Sequence, residues 1–363
     1  MNHIPYHNDV YKNIDKIITE LDDDYYYSRL DHLTTALEGY LKEEVLNTPE
    51  KITSIVSRFE SVLKQCDEID YDDFDTSTAY AILHFLPRYR RFQIICDELL
   101  RRQLLPFDSR GVRSLDIGTG PASALFALSD IYYFVFDRLD LMVLPDLYIS
   151  DYVEKSNGFR SWLHHFTEYA NSHGDIPGWI VPFHHGAFEN FHSISFDQKC
   201  PYKRKYRFNI ILCSNFLTHT HQICQYQEEL CKTLKSIRKN GILVVNGGVG
   251  VGKEKNYDDI YSTLTKLIMR QKFHWANYRI RFDHILLTKG QFILSNQNRF
   301  GLRIHDFYKS ILSHISKVEG AMNLLPKEIK KMYEKMCKSE YEYTYSWNTH
   351  IYKKRYIRHK IYD

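Results

Sequence analysis

One stretch of this chain restricts its possible folds more than any other: Val112-Arg-Ser-Leu-Asp-Ile-Gly-Thr-Gly-Pro-Ala-Ser123, followed by Ala124-Leu-Phe-Ala-Leu128. The apolar run reads as a buried strand and the segment after the turn as the opening of a helix. Glycine has no Cβ, so Gly118 and Gly120 let the backbone turn tightly and come close to a ligand. The helix start beyond them offers unpaired N–H groups and a partial positive charge. Strand, glycine turn and helix in that order predict a nucleotide-binding corner at the carboxyl edge of a parallel sheet. A tight turn that binds nothing, or a different nucleotide site, is the alternative.

The dehydrogenase fingerprint needs a third glycine where this chain has Ser123. Asp116, two residues before the first glycine, sharpens the reading. The segment Leu115-Asp-Ile-Gly-Thr-Gly-Pro121 closely resembles the first motif of the class I S-adenosylmethionine-dependent methyltransferases. That resemblance implies an α/β fold: a doubly wound, mostly parallel, seven-stranded Rossmann-like methyltransferase sheet, here with an N-terminal helical extension. It also implies S-adenosyl-L-methionine as cofactor. The turn Gly118, Thr119, Gly120 and Pro121 would pass under its methionine part, with Asp116 near its amino group.

The chain has 363 residues, enough for one large domain with an appendage or for two domains. With 44% hydrophobic and 26% charged residues it has an ordinary globular composition. No apolar run approaches the ~20 residues of a membrane helix, and the first residues lack signal-peptide order. A cytoplasmic protein with no membrane partner is expected. The seven cysteines form no CxxC pair and read as reduced thiols. Residues 1–107 carry helical spacing, as at Ile52, Ile55, Val56, Phe59, Val62 and Leu63, and read as a helical extension or cap. Within it, Asp67–Asp75 reads as an exposed acidic loop. A helix is expected from Ser77 to Arg102, with Pro87 interrupting or kinking it. Residues 108–300 would form the core, and 301–363 a helical insertion, from about Asp306 to Cys337, followed by an aromatic and basic strand or tail.

Further strands follow at sensible spacing. Leu147–Asp151 is the expected second strand, its final acid able to accept both ribose hydroxyls, with Glu154 one turn later as the substitute. A helix cap is the other role for Asp151. The third strand is expected at Trp179–Phe183. Many methyltransferases then carry a Gly-Asp pair whose acid reads the adenine amino group; this chain has Gly186-Ala187. The Ala187 backbone N–H would read adenine instead, with Phe188 packing on the ring. Arg207–Ser214 is a strand buried on both faces, running into Asn215-Phe-Leu-Thr-His-Thr-His221, a loop that in the family meets cofactor and substrate. Ser214-Asn-Phe-Leu217 is not the Asn/Asp-Pro-Pro-aromatic signature common in exocyclic-amine methylation. A helix over Gln225–Ile237, stopped by Arg238–Gly241, leads to a fifth strand at Ile242–Asn246. Gly247–Lys253 lacks the Ser or Thr of a phosphate loop and reads as a flexible border of the substrate site. Arg279–Leu287 and Tyr341–Trp347 read as later strands, the second antiparallel or an exposed appendage.

Methyl transfer needs alignment more than catalytic groups, and a base only where the acceptor must lose a proton. The catalytic candidates are His219, His221 and Asn215, with Ser214 beside the cofactor; surface or packing roles are the alternative for each histidine. A metal set of His219, His221, Cys224 and Cys231 matches no structural zinc spacing, so no metal is expected. Three basic runs could meet RNA or a ribosomal subunit: Arg88–Arg91 with Arg101 and Arg102, Lys203, Arg204 and Lys205, and Lys353, Lys354 and Arg355. Solvated charge is the equal alternative. Ser77–Arg88 is also similar to the region upstream of the same motif in ribosome-small-subunit-associated methyltransferase-like proteins, although the cysteines expected there after the fifth strand are missing. The functional expectation is therefore an S-adenosylmethionine-dependent methyltransferase acting on RNA or a ribonucleoprotein. A small-molecule O- or N-methyltransferase and a catalytically silent scaffold are the rivals, and a helical cap over the cofactor mouth would favour the small molecule.

Overall fold

A computed structural model describes residues 7–65, 68–108, 111–140, 148–173, 183–184, 188, 208–249, 254–271, 273–275, 278–287 and 289–358. Five helices come first: α1 (His7–Lys12), α2 (Ile14–Glu20), α3 (Asp23–Tyr40), α4 (Pro49–Gln65) and α5 (Phe74–Arg101). Acids start two of them: Asp22 accepts from the N–H groups of Asp24 and Tyr25, and Asp73 from that of Thr76, each at 3.0 Å. The apolar stripe of α4 is buried from Ile52 to Val62, with Leu63 on its exposed margin. Of the two effects expected of Pro87, interruption does not occur: α5 continues through it. Proline cannot bond the carbonyl four residues back; that carbonyl, of Leu83, accepts instead from the Tyr308 hydroxyl at 2.8 Å.

The sheet and its helices follow as β1 (Val112–Ile117), α6 (Ser123–Arg138), β2 (Tyr148–Val153), α7 (Asn157–Ser172), β3 (Phe183–His184) and β4 (Phe208–Ser214). Next come α8 (Thr220–Gln225), α9 (Gln227–Ser236), β5 (Ile237–Val249), α10 (Glu254–Arg270), β6 (Phe273–Trp275), β7 (Tyr278–Leu286) and β8 (Gly290–Leu294). The chain closes with α11 (Arg299–Ile315), α12 (Ala321–Leu324), α13 (Lys327–Cys337) and β9 (Tyr343–Arg358). The strand order is β3-β2-β1-β4-β5-β9-β7-β6, with β8 also paired to β9. Strands β1 to β5 pair in parallel; β9 runs antiparallel between β5 and β7. The expected seven strands are thus the spine β3-β2-β1-β4-β5-β9-β7, to which β6 and β8 add short edges. The order reverses between β1 and β4, and such a switch point opens a crevice at the carboxyl ends of the strands.

Two apolar layers cover the sheet. One joins the amino-terminal helices to α6, α7 and α11, around Phe85, Trp162, Phe166 and Phe307; the other lies under α8, α9 and α10. The residues read as an extension therefore share a core with the sheet.

Several sequence expectations are corrected. The helix expected over Gln225–Ile237 is divided at Tyr226, and Ile237 already belongs to β5. Arg238–Gly241 form a bulge rather than a helix stop: pairing with β4 jumps from Phe208↔Ile237 to Ile210↔Ile242, and Asn240 takes a φ of +63°. The first three residues of the Gly247–Lys253 run are strand, paired with β9, and the last four lie outside the described residues. The insertion is three helices beginning at Arg299. The basic carboxyl-terminal run is no tail. Lys354 is 1% exposed, and its ammonium donates to the carbonyls of Leu234, Lys235 and Ile237 at 3.1, 2.9 and 2.7 Å. A cation there serves the carbonyl end of α9. Arg355 pairs with Asp283, and Lys353 is half-buried.

Candidate functional site

The crevice at the switch point is a cavity of about 640 Å³ lined by residues from β1, β2 and β4 and by the amino-terminal helices. Asp116 is next to last in β1, 1% exposed, with Oδ2 accepting the Thr119 hydroxyl at 2.6 Å. Its Oδ1 is sealed from solvent and has no hydrogen-bond partner. Burial pushes this carboxyl up to about 7, with Thr119 pulling down and the nearby Glu154 pushing further up. A buried acceptor without a donor is costly, and this one belongs to the cavity wall.

The glycine turn has the form the sequence predicts. Gly118 and Gly120 have φ of +64° and +53°, in the left-handed region open to glycine. A Cβ on Gly118 would lie 2.3 Å from Phe216, whereas one on Gly120 would meet only Phe159, at 3.9 Å. Thr119, Gly120 and Pro121 line the cavity beside Asp116.

The ribose assignment is corrected. Asp151 lies inside β2, paired across to Leu115, fully buried, with both carboxylate oxygens taken by Arg113 (Nη2 to Oδ1 at 2.9 Å). β2 runs two residues further than expected, to Val153, so Glu154 is the first residue beyond its carboxyl end. That carboxylate accepts from the Gly120 N–H at 2.8 Å and the Ser156 N–H at 3.0 Å, lines the cavity, and is raised by burial. Glu154, unlike Asp151, faces the crevice, where the Lys155 N–H and the Arg160 charge also act on it.

Ser214 and Asn215 line the cavity beyond β4. Asn215 has a φ of +51°, and its Oδ1 accepts from the Gly248 N–H at 3.2 Å, tying the ends of β4 and β5 together. Phe188 is buried on the wall, edge-on to Phe216 at 5.2 Å and to Tyr226 at 5.5 Å. Ala187, Trp179–Pro182 and Lys203, Arg204 and Lys205 lie outside the described residues. His219 and His221 are exposed, their rings stacked at 5.4 Å, and neither lines the cavity. The helix start at Thr220 turns both outward, and Gln222 from the next turn lines the cavity instead. Among the described residues, no group of three or more His, Cys, Asp or Glu is placed to hold a metal.

The acidic loop is exposed at Glu68, Asp70, Asp72 and Asp73, as expected, and it also borders the cavity, which was not expected. Asp70, Tyr71 and Asp72 form a cavity wall. The Tyr71 carbonyl accepts from the hydroxyls of Ser77 (2.8 Å) and Ser156, and Asp72 accepts from the Asn157 N–H at 2.8 Å. Tyr71 stacks on Phe159 with ring centres 4.7 Å apart. Gly158 permits this contact, since a Cβ there would lie 2.3 Å from the Tyr71 carbonyl oxygen. From α5, Tyr80, Arg88 and Phe92 complete the lining. Their spacing along one helix face was visible in the sequence; its proximity to the glycine turn was not.

Strand order, the switch point and a glycine turn carrying a buried acid are now all in view. The fold is that of the class I methyltransferases. No protein-family model matches the chain, and no curated protein does. Among solved structures it is similar to YjhP from E. coli (9% identity, 83% of this chain and 98% of that one, TM-score 0.36). Coclaurine N-methyltransferase bound to N-methylheliamine and SAH is similar at 12% identity, over 96% of both chains, with a TM-score of 0.38. The plantazolicin methyltransferase BpumL with SAH is similar at 13%, over 84% and 99%, with a TM-score of 0.34. Likenesses this distant add no weight to a site, which rests on the chain's own geometry.

Among the described residues, no helix is long and apolar enough to cross a membrane.

Proposed function

We propose that this chain is an S-adenosylmethionine-dependent methyltransferase acting on a small molecule. The observation that carries the reading is Asp116: a buried carboxylate with one oxygen lacking a donor, at the glycine turn, in the wall of a crevice at the switch point. The residues fit the cofactor. Asp116 would accept from its amino group, Gly120 leaves backbone open beneath the methionine portion while Phe216 packs against Gly118, and Glu154 would accept from the ribose hydroxyls. Phe188 supplies an apolar wall for the adenine.

When bound, the sulfonium supplies an electrophilic methyl group. The chain's task is then to bind, align and exclude water. Tyr71 and Phe159 cover one side of the crevice, and Asn215, held by the Gly248 N–H, lines it beyond β4. The acids Glu68, Asp70, Asp72, Asp116 and Glu154 in the lining outnumber the cations Arg88 and Lys155, which favours a cationic nucleoside.

Two features support a small acceptor over RNA. The amino-terminal helices and the pinned acidic loop wall the crevice, and its several acids oppose the many phosphates of a nucleic-acid chain far more than a single anionic group on a small molecule, for which Arg88 supplies a cation. Of the basic runs, Lys354 is committed to α9 carbonyls and Arg91 is buried. Calorimetry with S-adenosylhomocysteine tests the reading. Binding is expected for the wild type and abolished in Gly118→Val and Asp116→Ala; binding that survives both changes removes the proposed site.

A further inference from the structure

Among the described residues, Arg91 is a buried cation with no carboxylate beside it. It lies on α5 one turn beyond Arg88, on the face that also carries Tyr80, and is 7% exposed. Its Nε and Nη2 are sealed from solvent with no hydrogen-bond partner, and no carboxylate pairs with it among the described residues. The groups that act on it are Arg88, which repels it, and the phenols of Tyr257, Tyr80 and Tyr261. Tyr345, on β9, feels both arginines. Burial lowers the guanidinium only to about 10, so it stays charged at neutral pH. Buried arginines are ordinarily paired. Arg29, for example, is engaged by Asp130. A cation left single, with a second one on the same helix face, indicates a missing anion.

Its position relates it to the candidate site. Nη1 lies 3.9 Å from where a Cβ on Gly248 would stand, and the Gly248 N–H bonds Asn215, a cavity residue. Arg88 itself lines the cavity. Arg91 is not itself in the cavity lining; it lies one turn beyond Arg88, with Tyr80, Tyr257 and Tyr261 near it. A guanidinium presents donors in a planar fork that matches a carboxylate or a phosphate.

We infer that the methyl acceptor carries an anionic group, a carboxylate or a phosphate, and that Arg91 holds it while Arg88 guides it from the crevice. This rests on the proposed methyltransferase reading and specifies its substrate class. Arg91 is assigned here as a binding residue, and the tyrosines as its polar but uncharged surroundings.

The test uses the full chain saturated with S-adenosylhomocysteine and two probes, inorganic phosphate and benzoate. Binding is followed by calorimetry and by the shift in Tm over sodium chloride at equal ionic strength. One probe or both should bind the wild type, and which one does separates a phosphate from a carboxylate acceptor. Arg91→Gln should weaken that binding by ~30-fold or more, Arg91→Lys by less, and Arg102→Gln, on the far end of α5, not at all. Without the anion, Arg91→Gln should melt no lower than the wild type, because it removes an uncompensated charge. If the wild type binds S-adenosylhomocysteine but neither anion, or binds an anion equally well in Arg91→Gln, the inference is overturned. If an anion binds through Arg91 while S-adenosylhomocysteine does not bind, the anion site stands and the methyltransferase reading fails.

Discussion

Cofactor affinity should depend on pH through Asp116. Burial holds this carboxyl at about 7 against an ordinary 3.8, so near neutral pH the free protein is divided between acid and carboxylate. An ammonium beside the carboxylate favours the ionised form, and binding at lower pH must therefore expel a proton. For a group with pKa near 7 that is fully ionised in the complex, the dissociation constant rises about fifteenfold between pH 7 and pH 5.5, or about 1.6 kcal/mol. The amino group of S-adenosylhomocysteine stays protonated across this window, so the slope belongs to the protein. Calorimetry at both pH values, repeated in buffers of different ionisation heat, reads the affinity and the released proton together. Asp116→Asn should bind more weakly at pH 7 and lose most of the slope; Glu154, also raised by burial, accounts for the remainder. A flat profile in the wild type, or an unchanged slope in the variant, would refute the assignment of Asp116 to the amino group.

The same group sets a stability difference in the absence of cofactor. Its folded pKa lies above its unfolded one, so its contribution is fully present below about pH 4 and is lost as pH rises through about 7. Asp116→Asn should thus unfold at higher temperature than the wild type at pH 8, by up to about 4 kcal/mol, with the gap closing by pH 4; a gap that widens in acid sinks the argument. Gly118→Ala must both hold a positive φ and displace Phe216, whereas Gly120→Ala holds a positive φ but meets only Phe159, at 3.9 Å. Urea unfolding should show a loss of about 1–2 kcal/mol or more at 118 and less at 120, and equal losses would speak against the geometry. Lys354→Met strands three carbonyls at the end of α9, and urea titration should find a loss of about 2 kcal/mol. A folded Lys354→Met protein with undiminished stability but weakened retention on a polyanion column would restore the tail reading. Asp130→Asn unpairs the buried Arg29 and removes the acceptor of Tyr89, with an expected cost of about 3–5 kcal/mol in the same assay.

Much of the site is local and was therefore legible in the sequence. Asp116, Thr119 and the two glycines lie within five residues, where hydrogen bonds and positive φ angles are set by the turn itself. The buried strands β1 and β4 announce themselves as continuous apolar runs. Where β2 would end was not legible, because Asp151 and Glu154 are both acids near a strand terminus, and only pairing with Arg113 shows which one is consumed. The acidic loop was equally opaque. Its charges suggest solvent, yet Ser77, Ser156 and Asn157, the latter two more than eighty positions away, fasten it to the crevice.

The sequence by itself determined the class of fold and the glycine corner, because periodicity and turn chemistry act over a few neighbouring residues. Only the tertiary structure decided which charges are free to act. Lys354 and Arg91 look alike in a basic run, but folding gives one three carbonyls and leaves the Nε and Nη2 of the other without an acceptor among the described residues. That difference depends on what distant strands and helices bring within 3 Å, and no local pattern encodes it.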